Sequence, residues 1–372
     1  MKRFSFSRPT GSLLLLALVC ALLTACSTDK TMFLYVGTYS DGFYAYEFDC
    51  GQGAVVSAGP YAEAPGALAK AGMPNPSYLT AFGSYVYAVS EMPDSTAAVR
   101  AWHFDGKAFT DLGGQATGLP GLCEDPCYVA TDGKYLAVAN YSGGTLAVYS
   151  LLDNGGIAPL DTLVVSRAGG PDLVRQATPH VHCAVFTPDE KYLLFSEFSA
   201  DAIGMLVLES GLGSVETAAE LPADFGPRHL LFDADGTHLY VIGELSGDIV
   251  VFDYADGMLT DKQRIKADAV DARGAADIHL SPDGKFLYAS LRLQNDGIAI
   301  FRVADDGTLT PAGYQHTGIH PRNFNITPDG RWMLVCCRDD NAIEIYRRDT
   351  ASGQLTDTGR RITLSRPVFV GW

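Results

Sequence analysis

What most limits the folds open to this chain is a phrase that keeps returning. Residues 226–254, GPRHLLFDADGTHLYVIGELSGDIVVFDY, read as an apolar strand at 229–232, a turn at 233–237, a second strand at 239–242, a polar turn at 244–248 and a third strand at 249–254. The runs are short, rich in Val, Ile, Leu, Phe and Tyr, and separated by Gly and Asp, as antiparallel strands joined by tight turns are. The first turn recurs as Thr131-Asp132-Gly133, Thr187-Pro188-Asp189, Asp233-Ala234-Asp235-Gly236, Ser281-Pro282-Asp283-Gly284 and Thr327-Pro328-Asp329-Gly330, with aspartates 57, 46, 48 and 46 residues apart. A sixth copy spans 80–89, where Phe82-Gly83-Ser84 takes the turn. Such a period, with four strand-length segments per unit and no helical pattern, predicts an all-β fold of the β-propeller type and excludes helical solenoids.

The ends of the chain set the blade count. Residues 32–49 match the second and third strands of the unit but lack a first, while Pro367-Val368-Phe369-Val370 is a first strand with nothing after it. Joined, they make a seventh blade closed by the N- and C-terminal strands, which removes two exposed sheet edges. Residues 32–372 are expected to form one seven-bladed domain without an interdomain linker. The loop at 166–179, the longest departure from the period, is expected to cover a rim.

Residues 1–25 stand apart from the repeat. Lys2, Arg3 and Arg8 precede an apolar run at 13–23, short for a spanning helix, and Leu23-Thr24-Ala25-Cys26 follows. The pattern resembles a bacterial lipoprotein signal peptide with its lipobox; an ordinary secretory peptide or a short anchor is the alternative. The resemblance implies cleavage before Cys26, lipid on that cysteine, a tether at 26–31, and a monomer held to a membrane in the cell envelope, outside the cytoplasm. Ser27 after the cysteine points to the outer membrane by the enterobacterial sorting habit. Loss of residues 1–25 leaves 24 basic residues against 43 acidic, a net charge of −19, which repels nucleic acid and anionic lipid heads. Of the six cysteines beyond Cys26, Cys123 and Cys127 are the best placed for a bridge in an oxidising compartment. Their spacing is poor for zinc and no histidine pair accompanies them. Cys336 and Cys337 are expected on opposite faces of one strand, one buried and one less so.

Propeller connectivity places residues by itself. Strand one leaves one face, the Asp-Gly turn lies on the other, and strand two returns, so residues just before strand one and just after strand two meet at one channel mouth. The first group holds Asn75, Asp125, His180, His182, Arg228, His229, Asp277, His279, His320 and Arg322; the second holds Glu91, Asn140, Glu197, Glu244, Arg292, Asn295, Arg338 and Asp339. His229 and His279 fall inside first strands and are expected to be satisfied or half-buried. Three arginines, a histidine pair and a glutamate aimed at one concavity point to a site.

With those residues in view, the chain resembles the seven-bladed β-propeller lactonase family, which includes bacterial 6-phosphogluconolactonases and fungal carboxymuconate lactonising enzymes. The matching phrases are Tyr35-Val36-Gly37-Thr38-Tyr39, Pro179-His180-Val181-His182, Gly226-Pro227-Arg228-His229, Glu244-Leu245, Ala275-Ala276-Asp277-Ile278-His279, Arg292 and Pro321-Arg322-Asn323-Phe324. The resemblance implies a lactone hydrolase acting on a small-molecule sugar lactone. It implies an active centre of His180 or His182, Arg228, Glu244 and Arg292, with Asn140, Asp277, His320 and Arg322 around the substrate. A neutral imidazole can take a proton from water attacking a lactone carbonyl, and arginine can pin a carboxylate or stabilise an oxyanion. No cofactor is required by this set, although acidic residues in the channel leave a divalent metal such as calcium open. No Gly-x-Ser-x-Gly nucleophile is present.

Two departures from the family pattern stand out. Gly243 occupies the place before Glu-Leu where relatives carry Asn. A protein outside the cytoplasm would not meet a phosphorylated lactone made inside it, so an uncharged or uronic sugar lactone is the alternative substrate. A binding or scaffold module is the rival class, because a propeller alone decides no function. A lactonising cycloisomerase would use the same residues.

Overall fold

The computed structural model describes residues 31–208 and 211–372; the expected signal peptide, Cys26 and the expected tether up to residue 30 lie outside the described residues, while Thr31, expected in the tether, begins a strand. Seven antiparallel sheets form the molecule. We number the blades I to VII by their innermost strands, Leu79–Phe82, Pro126–Thr131, Val181–Phe186, Pro227–Phe232, Ala275–Leu280, Pro321–Ile326 and Pro367–Gly371. Each innermost strand neighbours the next around a central channel. Blades I to VI run strand one to strand four outward in chain order. Blade VII is closed as expected: Pro367–Gly371 pairs with Thr31–Thr38, which pairs with Gly42–Asp49. Among the described residues the one helical element is a single 3-10 turn, Arg338–Asp340.

Burial follows position within a blade. Second strands such as Tyr135–Asn140, Phe286–Leu291 and Trp332–Cys337 are buried at every residue, because neighbouring blades cover both of their faces. Fourth strands such as Met258–Lys266 face water and carry the charges. This corrects the expectation for Cys336 and Cys337: they do face opposite ways, into separate core clusters, but neither is exposed. The Cys123 and Cys127 bridge is also not made. Both are buried free thiols, with Cys127 Sγ lying 3.5 Å from the His182 carbonyl oxygen in the next blade and Cys123 Sγ 3.9 Å from that of Asp94.

Three of the recurring turns share one construction. The hydroxyls of Thr187, Ser281 and Thr327 donate to Asp189, Asp283 and Asp329 at 2.6 Å, and those carboxylates accept the backbone N–H two residues on. Gly236, Gly284 and Gly330 supply φ of 67–72°, which glycine adopts without steric cost.

At the opposite end of the innermost strands the pairing with strand two slips. Pro227 pairs with Gly243 and His229 with Ile242, leaving Arg228 over. The same slip leaves out Cys127, His182 with Cys183, Ala276 with Asp277, Arg322, and Val368. A bulge frees a side chain from the alternation of the strand and lets it be aimed elsewhere. Here the residues left over stand at one end of the channel.

Ring closure by the last strand has a direct check. Deleting residues 367–372 strips the partner from Thr31–Thr38 and uncovers Tyr35 and Val36, and should cost several kcal/mol in pairing and burial. Urea unfolding should show a protein that is unfolded or marginal; a truncated chain as stable as the parent would show that closure rests elsewhere.

Candidate active site

Glu244, at the first position after strand two of blade IV, is buried and holds three guanidinium groups. Its Oε2 accepts from Arg228 Nε at 2.9 Å and lies 3.3 Å from Arg292 Nη2; its Oε1 accepts from Arg175 Nη2 at 2.7 Å. Burial works to raise the Glu244 pKa, but Arg292, Arg228 and Arg175 together hold it at about 2. Burial and the neighbouring Arg228 and Arg322 push Arg292 below its ordinary value, opposed by Glu244; a guanidinium starting above 12 still stays charged at neutral pH. Gly243 has no room for a side chain, since a Cβ would sit 2.6 Å from the Phe225 carbonyl oxygen.

Arg228 is 2% exposed. Besides Glu244 it donates through Nη1 to the Ala276 carbonyl and to His229 Nε2 at 3.2 Å, while Nη2 bonds to no described residue. His229 Nδ1 donates to Asp277 Oδ1 at 2.7 Å, and Asp277 Oδ2 accepts from His279 Nε2 and Asn323 Nδ2. Burial, reinforced by Arg228, lowers the His229 pKa to about 4. The ring is therefore neutral, with its proton on Nδ1 and its lone pair toward arginine. Asp277 thus lies beneath Arg228, at the back of the site.

Of the arginines gathered here, Arg322 is the one whose side chain has no hydrogen-bond acceptor among the described residues. Its guanidinium lies 5.2 Å from the centre of the Tyr39 ring and 3.9 Å from Glu91, whose Oε1 is taken by the Tyr39 hydroxyl at 2.7 Å. Arg228 and Arg322 line one small void on the channel, with Ser77, Cys127 and Val368, of about 10 Å3. That is room for about one oxygen atom.

The two histidines of Pro179-His180-Val181-His182 differ. His180 is half-buried, lies flat on the Tyr141 ring at 4.2 Å, and donates from Nδ1 to the Tyr141 carbonyl oxygen at 2.7 Å, which puts the lone pair on Nε2, where the Thr178 hydroxyl lies 3.5 Å away. Burial lowers its pKa, assisted by Arg175. His182 is buried, its Nδ1 has no hydrogen-bond partner, and burial with Arg228, His229, Arg322 and Arg292 drives its pKa far down. His320 sits at φ 60°, 3.4 Å from Arg292 Nη1, and burial and Arg292 lower its pKa to about 3.

The structure therefore gathers Arg228, Glu244, Arg292, His182, His320 and Arg322 at one mouth, with His180 on its rim. Asn140 is not brought there: it is fully buried in blade II, its amide donating to the Thr117 carbonyl and to Thr145. Arg175 was not anticipated. It comes from the irregular 166–179 loop, which Arg273 fastens to the ring through Asp172 and Asp224. Among the described residues no three His, Cys, Asp or Glu side chains are grouped to hold a metal ion.

This fold belongs to a known class. Residues 33–372 match the model of the lactonase family described as a 7-bladed beta-propeller, and the chain is a member of that family. A structure titled as a putative 6-phosphogluconolactonase from Bacteroides uniformis is 47% identical, with a TM-score of 0.85 over 92% of this chain and 99% of its own. The periplasmic gluconolactonase of Pseudomonas aeruginosa is 29% identical, with a TM-score of 0.81 over the same shares. The 6-phosphogluconolactonase of Formosa agariphila is 32% identical over 73% of this chain and 80% of its own length.

Removing the shared carboxylate should loosen the site measurably. In Glu244→Gln three buried or half-buried cations lose their common partner, at a cost of about 3–5 kcal/mol at pH 7. A carboxylate whose pKa falls from 4.5 to about 2 on folding stabilises above pH 4.5 and loses that contribution as pH falls toward 2. Urea unfolding of parent and variant should therefore differ most at neutral pH and converge below pH 4.5. A constant gap across that range would show that the carboxylate charge is not what holds the cluster.

Proposed function

We propose that this protein hydrolyses the ring ester of a sugar lactone at the arginine-lined mouth. The observation that carries this reading is Arg322: a shielded guanidinium with five donors and no acceptor, beside Arg228 and a niche the size of one oxygen atom. Arg228 is buried and Arg322 only partly exposed, and donors shielded in this way are normally satisfied, so the pair is suited to receive an anionic or carbonyl oxygen. Four arginines (Arg175, Arg228, Arg292 and Arg322) against Glu244 and Glu91 leave the mouth positive in a chain of net charge −16. Family membership, and relatives named as 6-phosphogluconolactonase and gluconolactonase, support ring opening of a sugar lactone.

In this reading the lactone carbonyl oxygen enters the niche between Arg228 and Arg322. The Nε2 of His180 takes a proton from a water molecule as its oxygen attacks the carbonyl carbon. Negative charge grows on the carbonyl oxygen, and the guanidiniums stabilise it in a site largely closed to water. Collapse breaks the ring C–O bond, the proton passes to the leaving alkoxide, and the product carboxylate stays opposite arginine. Glu244 holds Arg228 and Arg292 in register, and His320 and His182 stay neutral, so neither adds charge. Arg228→Ala should lower kcat about a hundredfold, the scale of one lost oxyanion donor, and Arg228→Lys should recover part of it, since an ammonium lacks the planar fork. His180→Ala should abolish the fall in rate that accompanies imidazole protonation below pH 6.5. His238, tied to Asp233 in a turn on the far face, is the control. Turnover of a panel of neutral, uronic and phosphorylated sugar lactones checks these outcomes; unchanged rates at Arg228 and His180 would leave the binding-module reading in place.

The same reading places the protein in the cell envelope on a lipid at Cys26. The relative from Pseudomonas aeruginosa titled periplasmic gluconolactonase supports a location where a lactone without phosphate is the available substrate. Thr31 pairs with Asp49 at the end of its strand away from the site, and Thr38 pairs with Pro367 at the site end. A tether leading into Thr31 therefore leaves the arginine mouth turned from the membrane. Cys26→Ser should lose metabolic lipid labelling and appear unprocessed or soluble; retained label would remove the anchor.

A further inference from the structure

The channel has a second mouth, on the face of the Asp-Gly turns. A cavity of about 260 Å3 opens there between the innermost strands of blades V, VI, VII, I and II. Its character is unlike that of the first mouth: no Asp, Glu, Lys or Arg side chain lines it. Tyr35, Tyr128 and Trp372 supply aromatic surface, while Thr80, His279 and Asn325 supply a hydroxyl, an imidazole and an amide. Among the described residues the Thr80 hydroxyl has no hydrogen-bond partner, and His279 bonds through Nε2 alone, to Asp277. Aromatic walls with a few convergent polar groups form a ligand site rather than a packing defect. Without charged side chains, such a site is suited to a neutral molecule that has C–H faces to lay on aromatic rings and hydroxyls to exchange hydrogen bonds. The wall also reaches the other mouth through His279, Asp277, His229 and Arg228, in contacts of 3.0, 2.7 and 3.2 Å.

We propose that this second mouth binds one neutral, polyhydroxylated molecule the size of a single sugar ring, and that its occupancy bears on Arg228 through Asp277. The test uses D-glucose as probe with the full-length protein, followed by saturation-transfer NMR and calorimetry. Binding should be weakened at least tenfold by Thr80→Trp, which fills the cavity, and by His279→Ala, which removes the Nδ1 acceptor without adding bulk. Arg322→Ala should bind glucose as the parent does. Failure of the parent to bind glucose overturns the site, as does binding that Arg322→Ala abolishes while both cavity variants retain it, because the sugar then sits at the arginine mouth. A second arm alone rests on the lactonase reading: saturating glucose should change kcat/KM for the best lactone at least twofold in the parent and not in Thr80→Trp. Equal change in both proteins would assign the effect to competition at the first mouth and overturn the coupling.

Discussion

One buried carboxylate makes the arginine mouth feasible. Two unit charges about 4 Å apart repel by about 4 kcal/mol even when the surroundings screen them as at a protein surface, and this mouth draws several guanidiniums together with little water between them. Glu244 answers with both of its oxygens. One joins Arg228 of its own blade to Arg292 of the next, and the other reaches across the opening to Arg175 in the loop between blades II and III. A single side chain thus fixes two neighbouring blades and the longest loop in relation to each other. The arrangement is still deliberately short of neutral. Arg322 is left with Tyr39 and a distant Glu91, and that surplus is what the proposed reading assigns to an incoming oxygen with negative charge.

Much of this could be read before any coordinates. The turns returned because three of them join a hydroxyl to the carboxylate two residues on, and in all five a residue of positive φ follows the aspartate, glycine in four and Glu190 in one, and the end strands matched because a ring must close. Convergence at one mouth followed from chain direction alone, which is why Arg228, Glu244, Arg292 and Arg322 were legible as a group. What escaped was finer than direction. The bulges that turn Arg228 and Arg322 out of their strands lie one residue after a proline, as Pro227-Arg228 and Pro321-Arg322 do, and Pro126-Cys127 and Pro367-Val368 repeat the spacing. That recurrence was available as a signal. Arg175 had none, because an irregular loop carries no period. Asn140 stood at a site position by count, yet its amide is spent on the Thr117 carbonyl and Thr145, a contact set by the packing of an outer loop that no local pattern encodes.

The histidines complete the logic of the mouth. Burial and nearby guanidiniums act in the same direction on an imidazole, both favouring the neutral form. His182, His229 and His320 are accordingly held below their ordinary range, to about 4 for His229 and about 3 for His320. Positive charge therefore stays on the arginines, whose planar forks can be aimed, and does not spread to rings that would repel them. His180, nearer the rim, feels a weaker version of the same pressure. Its consequence is chemical as well as electrostatic. Opening a lactone yields a carboxylic acid, which at neutral pH gives up one proton for each carboxylate formed. Burial, assisted by Arg175, favours the unprotonated ring of His180, and under the proposed hydrolysis an imidazole held in that way stays unprotonated as the acid accumulates.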